Sequence, residues 1–337
     1  MDWFHAITGF KELDYPATQA RLSVRDGVLH SEHSTRRPRV GLLETPSLGE
    51  LRRQVGALAR GDASPLSVAC RRADVRQLHA EAANAGALFQ VASQFNLLEM
   101  VSDKVTPEAG VTGYVHDGTQ GPACAMAAGA ATIYRNYLVS LGDQVGQTTD
   151  RQIDCLADLG ALLGNDGDRL WTMRNGYAML RPDALTEIDD HLAALREDER
   201  DALKCALRIG LHWDVEVTDV PSATQRVSQA FCSALPVAYN RGVRGDWRRF
   251  ASLVLEASYE ATLLAAALNA RRGGSGRVFL TRIGAGAFTN DVAWVYAAIE
   301  QALRRVEGTG LEIVIVSFSD PDQALRALVG RWRFADI

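Results

Sequence analysis

The stretch LTRIGAGAFTNDVAWVYAAI, residues 280–299, holds the clearest candidate for chemistry. An apolar strand pattern runs through Gly284, Ala285, Gly286, Ala287 and Phe288 into a helix pattern that opens near Asn290 and Asp291. Glycines let a ligand approach the main chain, and a helix N-terminus offers free N–H groups and the positive end of its dipole to an anion. A phosphate is the natural guest, and a plain tight strand-to-helix turn is the alternative. The loop is not a P-loop, because no Lys-Ser or Lys-Thr follows the glycines. A dinucleotide fingerprint fits poorly too: the spacing is GxGxxT, only 47 residues follow Asn290, and Arg304 and Arg305 stand where an acidic ribose reader belongs. A loop this late must close a site whose other walls come from earlier in the chain.

Three earlier stretches offer such walls. In LFQVASQFNLLE (88–99) a buried strand pattern abruptly presents Gln94, Asn96 and Glu99, at the carboxyl end where α/β sheets bind ligands; the alternative is that these groups cap the next turn. HDGTQGPACAMAAG (116–129) brings Asp117, Thr119 and Gln120, with Gly121-Pro122 at a helix start, a second N-terminal anion site. GLHWDVEVTDV (210–220) puts Asp214, Glu216 and Asp219 within six residues. On an extended segment Asp214 and Glu216 share a side, which suits acid–base work; a solvated acidic edge is the competing reading. His116 and His212 flank two of these stretches and are read as packed or capping residues, and Trp213 and Trp294 as core or pocket wall.

The elements that must position these groups alternate. ARLSVRDGVLHSEH around Asp26-Gly27 reads as a hairpin, and SLGELRRQVGALARG as a short helix ending at Gly61. SPLSVAC and GALFQVASQF read as strands, and GPACAMAAGAATIYRNYLVSL as a helix of small residues. A helical region follows: RQIDCLADLGALLG, a hairpin LWTMRNGYAML turning on Asn175-Gly176, and PDALTEIDDHLAALREDERDALKCALRIG as one or two helices. Then DVEVTDV, SQAFCSALPVAY, GRVFLTRIG and LEIVIVSF read as strands around the long helix DWRRFASLVLEASYEATLLAAALNA and the helix NDVAWVYAAIEQALRRVE. This alternation predicts a layered α/β fold with a mixed sheet. Residues 1–64 form an N-terminal extension, and residues 65–337 one domain with a helical insertion at about 145–210.

Composition narrows the classes. At 47% hydrophobic and 23% charged the balance is globular, and no apolar run reads as long enough to span a bilayer. The start, Met1-Asp2-Trp3-Phe4-His5, has no leader pattern, so a cytoplasmic location is expected. Five scattered cysteines without a CxxC pair predict neither disulfides nor a zinc site, and no cofactor or metal is expected. A net charge of −5 with short, separated basic runs leaves no footprint for nucleic acid, and no membrane partner is expected.

In order and spacing these pieces resemble a macrodomain, the ADP-ribose-binding fold. The resemblance covers roughly residues 65–325 and implies a three-layer α/β/α sandwich. It implies that Asp74 in RRADVRQLH reads adenine and that Asn96 lies beside the distal ribose. Thr119-Gln120-Gly121 and residues 284–290 would form the two ligand loops, with Phe318 near the adenine or proximal ribose. The triple-glycine loop of the common mono-ADP-ribosyl hydrolases is absent, as is the Gly-Gly-Gly with Gln-Glu-Glu signature of poly(ADP-ribose) glycohydrolases. FQVASQFNLLE followed by TQGPACA looks closer to the MavL-type macrodomains, which remove ADP-ribose from arginine, including modified ubiquitin. That likeness implies an ADP-ribosylarginine hydrolase whose partners are ADP-ribose and an arginine-modified protein. Cleaving such a bond passes through an oxocarbenium-like state, so Asp214, Glu216 and Asp219 are the expected catalytic cluster and the clamp for the guanidinium. The rivals are a reader that binds ADP-ribose without cleaving it and a hydrolase of another ADP-ribose derivative.

Overall fold

The computed structural model describes residues 2–56, 64–219 and 225–332. Asp2 and Asp14 accept from the backbone N–H groups of His5 and Ala17 and so cap two short helices, α1 (Trp3–Thr8) and α2 (Tyr15–Ala20). The expected hairpin follows as β1 (Leu22–Arg25) and β2 (Val28–Ser31). Asp26 and Gly27 at its turn have φ of 53° and 71°, the left-handed pair a two-residue turn of this hand demands. Next come β3 (Leu42–Glu44) and α3 (Leu48–Gly56); the expected continuation of that helix to Gly61 lies outside the described residues.

From residue 64 strands and helices alternate as β4 (Ser67–Arg72), α4 (Val75–Ala80) and β5 (Leu88–Ala92). The helix expected in one piece over 121–141 is broken into α5 (Gln120–Ala127), α6 (Gly129–Ile133) and a π-helical turn, Tyr134–Leu138. The break at Ala128 lets Gly129 donate its N–H to the Thr218 hydroxyl at 2.8 Å. The middle region contributes a small hairpin β6 (Ser140–Leu141) and β7 (Gln144–Val145), then α7 (Ala157–Leu163), shorter than its pattern. After it come the hairpin β8 (Trp171–Arg174) and β9 (Tyr177–Leu180), turning on Asn175-Gly176 as expected, and two helices, α8 (Ala184–Ala194) and α9 (Glu197–Ala206). The chain ends with β10 (Gly210–Glu216), β11 (Arg226–Cys232), α10 (Arg248–Arg271), β12 (Arg277–Leu280), α11 (Val292–Arg305), β13 (Glu312–Ser317) and α12 (Gln323–Trp332).

Seven strands form the central sheet in the order β3-β10-β11-β5-β12-β13-β4. The five from β11 to β4 are parallel, and β10 runs antiparallel to both its neighbours. Helices α4, α5 and α6 cover one face, and α3, α8, α9, α10 and α11 the other, so the expected three-layer α/β/α architecture with a mixed sheet is the observed one. Burial on both faces explains why β5 and β13 read as near-continuous apolar runs. A second core cluster joins Phe4, Ile7 and Leu29 of the N-terminal segment to Ala125, Ile133 and Tyr137 of the α5–α6 face.

One expectation about the core is corrected. Within α10 an 18-residue window reaches a mean hydropathy of 1.3, long and apolar enough to cross a membrane by length and composition. In the fold 89% of that window is buried, because α10 packs against β11, β5 and β12 on one side and α11 and α3 on the other.

The chain leaves β5 through α5 on one face toward β10 and β11, and leaves β12 through α11 on the other face toward β13. Between β5 and β12 the strand order therefore reverses, which is where open α/β sheets bind ligands. These two strands pair only at Leu88–Val278 and Phe89–Phe279, then part.

Candidate functional site

A cavity of about 440 Å³ lies across the carboxyl ends of β11, β5, β12, β13 and β4, reached through Ala234, Ser93, Thr281, Val316 and Ala73. Four interstrand steps make it roughly 19 Å long. That is the size and shape of a site for an elongated small molecule.

The opening of β5 from β12 is held by two glutamines. Gln90 donates to the Thr262 hydroxyl (2.9 Å) and accepts from the N–H of Thr281 (3.2 Å), tying β5 to α10 and to the end of β12. Gln120, at the first turn of α5, donates to the Gln90 carbonyl (2.8 Å) and accepts from the Ala92 N–H (2.9 Å), so it acts as a substitute neighbour for the strand. This draws α5 so close to β5 that a Cβ at Gly121 would overlap the Ala92 carbonyl oxygen. Glycine at 121 is a packing requirement, and it leaves the amino end of α5 open to the cavity.

The glycine loop forms the middle of the wall. Gly284 has φ of 73°, and a Cβ there would overlap that of Ala234. The carbonyl of Gly284 accepts from the Asn290 N–H at 2.9 Å, and the Asn290 amide donates to the Leu235 carbonyl at 2.9 Å. These bonds fold residues 284–290 into a compact turn before Asp291 caps α11 through the N–H of Ala293. Among the described residues nothing accepts from the N–H groups of Gly286, Ala287 or Phe288, which all stand in the cavity wall.

One end of the cavity is acidic and aromatic. Asp117 is half-buried in the wall, with Oδ1 accepting from the Thr119 N–H at 2.8 Å. Glu99 is fully buried in the same wall. Its Oε1 lies 3.4 Å from the buried Arg135 guanidinium, and its Oε2 has no partner among the described residues. Burial pushes the Glu99 carboxyl up to about 7, against the pull of Arg135 and the Tyr114 hydroxyl. Arg135 sits in the π-helical turn, where it also donates to the Leu97 carbonyl (3.1 Å) and stacks 3.9 Å from the Phe231 ring. Next to this pair Tyr177, Tyr239 and Phe288 cluster, with ring centres 4.9–5.7 Å apart.

The structure brings together most of the binding residues expected from sequence. Gln94, Glu99, Asp117, Thr119, Gln120, Gly121, Gly284, Ala285, Gly286, Ala287, Phe288 and Phe318 all line the cavity. Gln94 does so while spending its amide on the turn that follows, accepting from the Met100 N–H (2.9 Å) and donating to the Met100 carbonyl (3.1 Å).

Six residues stand elsewhere. Asn96 is fully buried outside the cavity wall, accepting from the Leu98 N–H and donating to Gln152, so it shapes the loop. Asn290 is likewise buried outside the wall, its amide N–H groups donating to the carbonyls of Leu235 and Gly284, and its Oδ1 has no partner among the described residues. Asp74 caps α4 by accepting from the Arg76 N–H at 2.9 Å, and its neighbours Ala73 and Val75 form the wall in its place. The carboxylate cluster is displaced furthest. β10 is antiparallel to β11, so Glu216 pairs with Arg226, the first residue of β11, whereas the cavity opens past Cys232, the last. That is roughly 20 Å of strand. Asp214 is exposed on a bulge at φ 53°, which breaks the assumed alternation with Glu216. Glu216 accepts from the Arg39 N–H at 3.0 Å, and Asp219 is held in a two-point ion pair by Arg76, one arm at 2.6 Å. None of these three carboxylates lines the cavity.

Sequence reading missed Arg282, Tyr177, Tyr239 and Ser317, all in the wall. Arg282 lay within the opening stretch, between strand and glycines, and its position at a strand's carboxyl end was the available signal. The tyrosines enter from distant segments and carried none.

No known protein family matches the chain by sequence, and no curated protein does. Among solved structures the chain is similar to a poly(ADP-ribose) glycohydrolase from Thermomonospora curvata. Identity is 14%, with a TM-score of 0.45, over 86% of this chain and 85% of that one. It is similar too to a poly(ADP-ribose) glycohydrolase from Deinococcus radiodurans in complex with ADP-ribose, at 13% identity and a TM-score of 0.44, over 86% of this chain and 92% of that one.

Proposed function

We propose that the cavity binds ADP-ribose and that the protein hydrolyses the glycosidic bond joining ADP-ribose to a modified protein. The observation that carries the reading is a single elongated cavity that has unpaired N–H groups of a glycine loop in its middle and a buried carboxyl at one end. The adenosine lies toward Val316 and Phe318, the diphosphate on residues 284–288, and the terminal ribose among Glu99, Asp117 and the aromatic cluster. Glu99, whose burial keeps a proton available near neutrality, protonates the leaving nitrogen once the entering ligand uncovers its side chain, which is fully buried here. Asp117 faces the oxocarbenium-like carbon, aligns the attacking water and accepts its proton as the new C–O bond forms and the C–N bond breaks. The linkage we propose is to arginine, on the MavL-type likeness, because a planar guanidinium suits a pocket of aromatic faces and a carboxylate. ADP-ribosylated ubiquitin is the first protein substrate to assay, and the cytoplasm is the proposed location.

Release of ADP-ribose is measured from arginine-, glutamate- and serine-linked proteins and from poly(ADP-ribose), beside calorimetric binding of ADP-ribose. Glu99→Gln and Asp117→Ala should each cut release by roughly 100-fold or more and leave binding largely intact. Asp214→Ala and Glu216→Ala should stay within about twofold of the parent, as surface substitutions do. Binding without release from any substrate would make the protein a reader, and release that survives both Glu99→Gln and Asp117→Ala would sink the chemical assignment.

A further inference from the structure

The N–H groups of the glycine loop carry no net charge, and the carboxylate of Asp117 in the wall would repel a diphosphate. Arg282 is the one Lys or Arg side chain in that wall among the described residues. It lies two residues before Gly284, and its side chain keeps 27% of its surface exposed. One Nη donates to the Ser317 hydroxyl at 3.0 Å, and the other lies 3.5 Å from Asp322 Oδ2. Asp322 is itself held, accepting from the Tyr296 hydroxyl at 2.6 Å and from the Leu325 N–H at 2.8 Å. Arg282 is thus aimed by groups from β13, α11 and the start of α12. Its pair with Asp322, half in solvent, leaves the cation available to a stronger anion. A planar fork fixed from one side presents its remaining donors as phosphate recognition requires.

We propose that Arg282 is the specificity-determining residue of the cavity: it selects ligands that carry a diphosphate over neutral nucleosides, with Tyr296 and Asp322 as its positioning residues. The inference rests on the ADP-ribose reading above. A merely structural arginine, tying β12 to β13, would affect all ligands alike.

The test is calorimetry on the full chain with ADP-ribose, ADP, inorganic diphosphate and adenosine. Arg282→Gln should weaken the three diphosphate ligands roughly 10- to 100-fold, the range for lost charge-assisted hydrogen bonds, and leave adenosine unchanged. Arg282→Lys should recover part of that loss, and Tyr296→Phe should show the same split between ligands at smaller size. If Arg282→Gln does not fold, the Lys and Tyr296→Phe variants carry the comparison. Equal losses for adenosine and ADP, or no loss at all, overturn the proposal. Diphosphate binding that depends on Arg282 in a protein that does not bind ADP-ribose would uphold the selectivity and refute the ADP-ribose reading. ADP-ribose binding indifferent to Arg282 would do the reverse.

Discussion

Glu99 contributes one oxygen to a buried ion pair and leaves the other without a partner, so its proton is coupled to stability as well as to chemistry. Burial raises its carboxyl from an ordinary value of 4.5 to about 7. Between those values the folded protein holds a proton that the unfolded chain has released. The stabilising contribution is therefore complete below about 4.5 and is lost as the pH rises through about 7. Glu99→Gln, neutral throughout, should flatten this slope. Urea unfolding across that range checks it, and a slope unchanged in the variant would contradict the assignment. Should Glu99 also be the proton donor, the parent's release rate falls above about pH 7 as the same proton leaves. The residue scale also shows why matching residue types can mislead. Gln94, Asn96 and Glu99 occupy one short segment, yet two of the three spend their polar groups on folding the loop that presents the third.

At the scale of elements, the site depends on how closely α5 approaches β5. Gln120 takes the place of a missing strand partner, and Gly121 supplies the clearance. Gly121→Ala should push the helix outward and cost about 1–3 kcal/mol, since the obstructing atom is a backbone carbonyl that cannot swing aside. It should also weaken ADP-ribose binding by opening the cavity wall. Wild-type stability and affinity in that variant would show the clearance to be spare. The N-terminal segment supports the same region from outside. Glu12 accepts from the N–H groups of Val111 and Thr112 at 2.8 and 2.9 Å and from the Tyr137 hydroxyl at 2.8 Å, which ties down the approach to Asp117. The hairpin β8–β9 does likewise from the middle region, bringing Tyr177 to the wall while Asn175 donates to the Asp103 carbonyl at 2.7 Å.

For the whole molecule, five strand ends meet at one cavity, so a ligand that bridges them should stabilise the fold as a unit. ADP-ribose at 100 times its Kd should add about 2.7 kcal/mol and raise Tm by about 4 °C, with adenosine at the same concentration giving less. A thermal scan with both ligands checks it, and an equal shift from adenosine would remove the diphosphate from the binding account.

Local pattern in the sequence determined a great deal here. The 3.6 and 2.0 periods marked the long helices and most strands of the central sheet but not the short elements α1, α2, α4, β3 and α12, Asp26-Gly27 and Asn175-Gly176 marked their turns, and the glycines at 284 and 286 marked a loop that does line the cavity. These features depend on a residue and its near neighbours. What only the tertiary structure decided is which strand ends stand together. The alternation around Asp214 and Glu216 says nothing of strand direction, and β10's antiparallel pairing with β11 carries both carboxylates to the far end of the sheet. Arg282 meets Ser317 and Asp322, and Tyr177 meets Phe288, at sequence separations of 35 residues or more. Such meetings follow from strand order, which many distant pairings settle jointly and no short segment encodes.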